Sequence, residues 1–115
     1  MKKIAVLFVC LGNICRSPAA EAIFINLLEK KGLTHGFIVD SAGTGSWHIG
    51  KKADYRMRIA AERRDIIIFS RSSQITGEDF ENFNYILAMD DSNFRNIQDL
   101  KNRTCLLYTS PSPRD

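Results

Sequence analysis

The chain has no apolar stretch near the ~20 residues that a membrane-spanning helix needs; its longest, Ile4 to Cys10, is only long enough for a strand. Lys2 and Lys3 precede that run, but no small-residue cleavage site follows it, so it does not read as a secretory leader. The expectation is a soluble, cytoplasmic protein with no membrane partner. Charge of one sign is also lacking: the net charge is +3 and is spread along the chain without a block of like charges, which leaves nothing to hold nucleic acid. Cysteine is scarce, with Cys10 and Cys15 in one short segment and Cys105 near the end, unlike the regular spacing of a disulfide framework. His35 and His48 lie far from that pair, so a set of metal ligands is not supplied, and neither a metal nor another cofactor is expected. Two close thiols without a disulfide pattern point to a reducing compartment and reactive chemistry.

What is present suffices for one domain: 115 residues, 44% of them hydrophobic and 25% charged. The unbroken run Ile4-Ala5-Val6-Leu7-Phe8-Val9 is the pattern of a parallel strand covered on both faces. Ser17 as N-cap and Pro18 at the first helical position predict a helix in which Ala20, Ile23, Phe24, Leu27 and Leu28 face inward. Glu21, Glu29, Lys30 and Lys31 then face outward, and Gly32 ends the helix. Gly36 to Asp40 reads as a second strand and Ser41 to Gly50 as a loop at its C-terminal end. Asp54 caps a helix through about Arg64, Ile66 to Phe69 forms a buried connector, and Thr76 with Asp79 resembles a capping box. Tyr85 to Met89 is the next strand, and Asp90 or Asp91 caps a helix toward Leu100. This order predicts an α/β fold: a three-layer, open, doubly wound sheet of parallel strands with helices on both faces. Ligands bind such sheets at the C-terminal strand ends, where the loops after Val9, Asp40 and Met89 all fall.

The first of those loops, Cys10-Leu11-Gly12-Asn13-Ile14-Cys15-Arg16-Ser17, carries the chemistry. A tight turn feeding a helix aims successive backbone N–H groups, here those of Leu11 to Arg16, at one point beside the positive end of the helix dipole. A tetrahedral oxyanion such as phosphate fits there. Gly12 keeps the backbone accessible, Asn13 tolerates left-handed φ, and Arg16 can take two phosphate oxygens. Amides, Arg16 and the Ser17 hydroxyl around Cys10 predict a depressed thiol pKa and a nucleophilic thiolate. A P-loop nucleotidase is excluded, because the loop lacks the Gly-Lys-Ser/Thr ending.

This pattern closely resembles the low-molecular-weight protein tyrosine phosphatases, whose signature is cysteine, five residues, arginine, serine, proline near the N-terminus. The resemblance continues through Asp40-Ser41-Ala42-Gly43-Thr44, Trp47-His48-Ile49-Gly50, Asp54 with Arg56, Thr76 with Glu78-Asp79-Phe80, and Ile86 to Asp90 with Ser92-Asn93. It implies hydrolysis of phosphotyrosine in a protein, or of a small aryl phosphate, through a phosphocysteine on Cys10, with inorganic phosphate as product. It also implies that Arg16 and the loop amides hold the phosphoryl oxygens, that Ser17 stabilises the leaving thiolate, and that Asn13 and Ser41 support the loop. Trp47 and His48 would line the substrate pocket, and Cys15 would form a reversible disulfide with Cys10. Within the same fold, an arsenate reductase would need resolving cysteines downstream, and an arginine phosphatase favours threonine where Ile14 stands. A non-catalytic phosphate-binding module is the reading from outside enzymology.

Two departures from the family pattern remain. The family's proton donor lies in an Asp-Pro motif followed by aromatics, which this sequence does not contain, so slow turnover of aryl phosphates is expected. The segment Ser70-Arg71-Ser72-Ser73-Gln74 has Ser70 where family members often carry a loop-supporting histidine. Residues Cys105 to Asp115 lose all periodicity and equal the translation of a transposase sequencing adapter. The expectation is a family domain over 1–104, without the family's last strand and helix, followed by an artefactual tail over 105–115. Sequencing the locus past the Thr104 codon is expected to show a different continuation; a native frame encoding the same peptide overturns this.

Overall fold

Strand β1 (Ile4–Cys10) is apolar along its whole length because it is buried on both faces, with Ala5, Val6, Leu7, Val9 and Cys10 all enclosed. The computed structural model describes residues 2–107 and sets β1 at the centre of a three-stranded sheet of order β2-β1-β3. Both β2 (Phe37–Gly43) and β3 (Tyr85–Ala88) run parallel to it. Ile4 stands opposite Phe37 and Cys10 opposite Gly43, while Val6 pairs with Tyr85 on the other side. The strand β2 thus runs on through Ser41, Ala42 and Gly43, which the sequence had assigned to a loop. Pairing with β1 accounts for the extension.

The two-residue alternation of β1 distributes the core. Phe8 points to helix α1 (Arg16–Lys30), where the Phe24 ring meets Phe8 and Phe37 edge to face at centroid distances of 5.8 and 5.7 Å. Leu7 and Val9 point the other way and pack with Ala42, Ile75 and Ile97. Ile97 belongs to helix α4 (Asp91–Leu107), and Phe80 of the short helix α3 (Asp79–Asn82) packs against the same cluster. Helices therefore cover both faces of the parallel sheet, the three-layer arrangement expected. Among the described residues, no helix is long and apolar enough to cross a membrane.

Helix ends follow local chemistry, with corrections. The first helix starts at Arg16, with Cys15 in the cap position and no side-chain cap. Ser17 is not the cap, because its hydroxyl has buried partners inside the preceding loop. At the other end, Gly32 takes φ +69°, and the N–H groups of Gly32 and Leu33 return to the carbonyls of Glu29 and Leu28 at 3.2 and 2.9 Å, a Schellman motif. Asp54 caps helix α2 (Tyr55–Glu62) by accepting the Met57 N–H at 3.3 Å. The connector after it is only half buried: Ile68 is enclosed, whereas Ile67 and Phe69 are 58% and 84% exposed. An extended chain alternates its sides, so one apolar run cannot be buried throughout. Asp79 accepts the Thr76 N–H at 2.8 Å, and Asp90 accepts the Asn93 N–H at 2.8 Å to cap α4. That helix runs past Leu100 and past Thr104; the remainder of the expected tail, 108–115, lies outside the described residues.

Truncating Leu7 to Ala is expected to cost about 2–5 kcal/mol in urea unfolding, whereas Phe69→Ala is expected to stay within about 0.5 kcal/mol. Equal losses at the two positions would contradict the assignment of the core.

Candidate active site

The segment between β1 and α1 is shaped by where its carbonyls go. The oxygens of Cys10 and Leu11 accept the N–H groups of Thr44 and Gly45 at 2.9 and 2.8 Å. Gly12 O accepts the Ser72 hydroxyl at 2.8 Å, and Ile14 O accepts the Asp54 N–H. With these four carbonyls engaged outside the loop, its N–H groups are left to face inward. The β2 end lies very close: a Cβ at Gly43 would stand 2.8 Å from Leu11 O and 3.0 Å from Gly12 C, so only glycine fits.

Asn13 closes the loop from within. It adopts φ +57° and is 1% exposed. Its amide nitrogen donates to Ser17 Oγ at 2.9 Å and to Ser41 Oγ at 3.0 Å, and its Oδ1 accepts the Ser73 N–H at 2.9 Å. Every polar group of this buried side chain is engaged, which offsets the cost of its left-handed backbone.

Cys10, 3% exposed, lies at the focus. Its Sγ is 2.9 Å from Ser17 Oγ and receives the Asn13 N–H at 3.3 Å. Burial pushes this thiol up, but the Ser17 hydroxyl and the backbone N–H groups of Ser17, Asn13 and Cys15 outweigh burial and hold it below the ordinary cysteine value. The sign follows: the thiolate's contribution to stability is present above the ordinary thiol pKa and is lost as pH falls through the value in the fold. Cys15 is exposed, and neither it nor Cys10 is in a disulfide.

Around this centre, Arg16 opens α1 and is tied by Nη1 to Asp90 Oδ2 at 3.0 Å. Asp90 thus both caps α4 and holds Arg16; the Asn93 N–H first, and Arg16 next, keep its carboxyl below the usual range. The Trp47 ring folds over Gly45, where a Cβ would collide with it, and the edge of His48 lies over Gly12. Trp47 shares with Leu11 and Thr44 a cleft that extends to Asn96, Asp99 and Arg103 of α4. The residues proposed from sequence, Cys10 to Ser17 with Ser41, Trp47 and His48, are therefore brought to one edge of the sheet.

Sequence reasoning missed three contributors. Ser72, through its hydroxyl, and Ser73, through its backbone N–H, tie the loop from the connector before α3; the resemblance pointed to this segment but to Ser70, whose side chain reaches Glu21 instead. Glu21 was assigned to the outer face of α1. It turns inward instead, its Oε1 2.6 Å from Ser41 Oγ, because a buried hydroxyl on β2 offers it a partner.

A buried thiol with a depressed pKa, ringed by amides at a helix N-terminus on the C-terminal edge of a parallel sheet, defines a cysteine-based oxyanion site on an α/β scaffold. The chain belongs to the low molecular weight phosphotyrosine protein phosphatase family, whose model matches residues 5–109. A family protein of that name from Schizosaccharomyces pombe is 50% identical over 101 residues, which are 87% of this chain and 65% of the relative. A protein tyrosine phosphatase structure from Entamoeba histolytica superposes with a TM-score of 0.82 at 47% identity, covering 84% of this chain and 62% of that one. A drosophila arginine phosphatase superposes with a TM-score of 0.83 at 37% identity, covering 98% and 66%. The chain thus spans just under two thirds of the length of these relatives.

Replacing Ser17 by Ala is expected to raise the midpoint of Cys10 alkylation by iodoacetamide toward the ordinary thiol value, read from rate against pH in a background with Cys15→Ser and Cys105→Ser. An unmoved midpoint would show that the hydroxyl does not stabilise the thiolate.

Proposed function

We propose that the chain is a protein tyrosine phosphatase that hydrolyses phosphotyrosine or a small aryl phosphate through a phosphocysteine. The observation that carries this reading is the Cys10 sulfur, held as a favoured thiolate among inward-facing amides at the start of α1. In the first step, the Cys10 thiolate attacks phosphorus and the aryl oxygen leaves; in the second, water attacks the phosphocysteine and releases inorganic phosphate and the thiolate. Amides of Leu11 to Arg16 and the Arg16 guanidinium take the charge on the phosphoryl oxygens. The Ser17 hydroxyl stabilises the thiolate as it departs, and Asn13 with Ser41 keeps the loop in shape. Trp47 and His48 form the wall for the aryl ring. Cys15 serves as the thiol with which an oxidised Cys10, as its sulfenic acid, condenses to a disulfide with loss of water.

Asp90 is not placed as the missing proton donor, because its carboxylate is already engaged in accepting the Asn93 N–H at 2.8 Å and in pairing with Arg16 Nη1 at 3.0 Å. Turnover by this chain should therefore favour aryl groups that leave unprotonated, with about 10²–10⁴-fold lost on poorer ones. The similarity to an arginine phosphatase extends to sequence as well as fold; Ile14 in the loop, where that branch favours threonine, supports an aromatic phosphoester. The cytoplasm is the setting proposed, because the mechanism needs a reduced Cys10.

With p-nitrophenyl phosphate, Cys10→Ser is expected to lower kcat by more than about 10³-fold. A phosphoenzyme should be trapped on acid quench in the parent and be absent from the variant. A variant that still turns over would point to another nucleophile, and a parent that binds phosphate without turnover would leave a phosphate-binding module as the correct reading.

A further inference from the structure

The hydrogen bonds behind the loop run in one direction. The Asn13 amide nitrogen has only protons to give, so Ser17 Oγ and Ser41 Oγ both accept from it, at 2.9 and 3.0 Å. Each hydroxyl then has one proton left. That of Ser41 goes to Glu21 Oε1 at 2.6 Å, the length of a charge-assisted O–H···O⁻ bond. That of Ser17 has two acceptors in reach, Cys10 Sγ at 2.9 Å and the Ala42 carbonyl at 3.4 Å, and the thiolate, nearer and charged, takes it. Asn13 cannot reverse the scheme by flipping its amide, because its Oδ1 accepts the Ser73 N–H. One chain of bonds therefore ends on a carboxylate and its twin ends on the reactive sulfur.

The carboxylate is held where it is costly. Glu21 lies at the head of a cleft between α1 and the connector over 65–70, whose other walls include Ile25, Ile66 and Ile68. The other charged groups facing it are all acidic: Glu29 on α1, Asp65 on the connector and Asp40 on β2. No Lys, Arg or His among the described residues lines this cleft. Burial first, and Asp40 as well, push the Glu21 carboxyl above its ordinary value, against the pull of the Ser41 and Ser70 hydroxyls. The protonated form is thus favoured by folding. Its stabilisation is present below the ordinary carboxyl pKa and is lost as pH rises through the value in the fold.

We propose that Glu21 is a positioning residue for the thiolate: acting through Ser41, its carboxylate holds Asn13 in the orientation that reserves the Ser17 proton for Cys10. Only the kinetic meaning of this inference rests on Cys10 being the nucleophile of the proposed phosphatase.

Two readouts separate positioning from packing, and neither requires turnover. The first is the Asn13 side-chain amide followed by ¹⁵N–¹H NMR between pH 4 and 7. It should titrate with the Glu21 carboxyl in the parent, be flat in Glu21→Gln, and be flat in Ser41→Ala while the Glu21 carboxyl carbon still titrates. A flat Asn13 signal in the parent, or an unchanged titration in Glu21→Gln, overturns the proposal. The second is the midpoint of Cys10 alkylation. Removing a nearby negative charge by itself would lower that midpoint, whereas losing the tether should raise it in Glu21→Gln. A rise of about half a pH unit, or about threefold slower alkylation at pH 6, is expected; no change or a fall overturns the proposal. Glu21→Gln is also expected to melt at or above the parent temperature at pH 7, since it removes the buried charge and keeps the shape; a clear loss would mark Glu21 as a packing residue. If the variant does not fold, the Asn13 titration of the parent decides alone.

Discussion

The site depends on the outward engagement of four backbone carbonyls. Those of Cys10, Leu11, Gly12 and Ile14 are bonded to Thr44, Gly45, Ser72 and Asp54, donors drawn from three separate parts of the chain. A peptide plane has two polar edges, so fixing the oxygen on the outside presents the N–H to the inside. The loop's affinity for negative charge is therefore imposed from a distance, and Cys10 gains its thiolate character from that same arrangement. The absence of a side-chain cap on α1 fits this logic, since a capping oxygen would occupy amides of the helix's first turn.

Much of this was legible in the sequence because it rests on local rules. The apolar run of β1, Gly32 as terminator and Asp54 and Asp90 as caps all depend on residues a few positions apart, and the structure bears them out; the stripe on α1 holds only in part, since Ala20, Phe24 and Leu28 turn inward while Ile23 and Leu27 are 55% and 46% exposed. The loop was legible too, because its nucleophile, turn residues and arginine are contiguous. What failed was long-range. Ser17 reads as a cap only while Cys10 and Asn13 are not known to compete for its hydroxyl. Glu21 reads as a surface residue only while Ser41, on another strand, is not known to meet it. The connector from Ile66 to Phe69 was misjudged differently: its composition was read, but not the alternation that exposes every second side chain.

Serine has an unusual part in this architecture. Ser17, Ser41, Ser72 and Ser73 come from a helix, a strand and a connector, and each touches the loop or its asparagine. Ser73 meets Asn13 through its backbone N–H, but the other three act through hydroxyls, which both give and accept and so can relay the polarity set by a neighbour as well as fill a site. A short polar side chain also permits the close approach of backbones that the site requires, as the absent Cβ of Gly43 does more severely.

The pairing of Cys10 with Gly43 has a bearing on folding fidelity. A parallel sheet slipped by one residue would bring Ala42 or Thr44 beside the loop and press a Cβ to about 2.8 Å from the Leu11 carbonyl oxygen. The loop then could not close, and its carbonyls would be stranded without donors. The reactive turn thus acts as a gauge of strand register: a misaligned sheet is denied both the bonds of the loop and the chemistry they create.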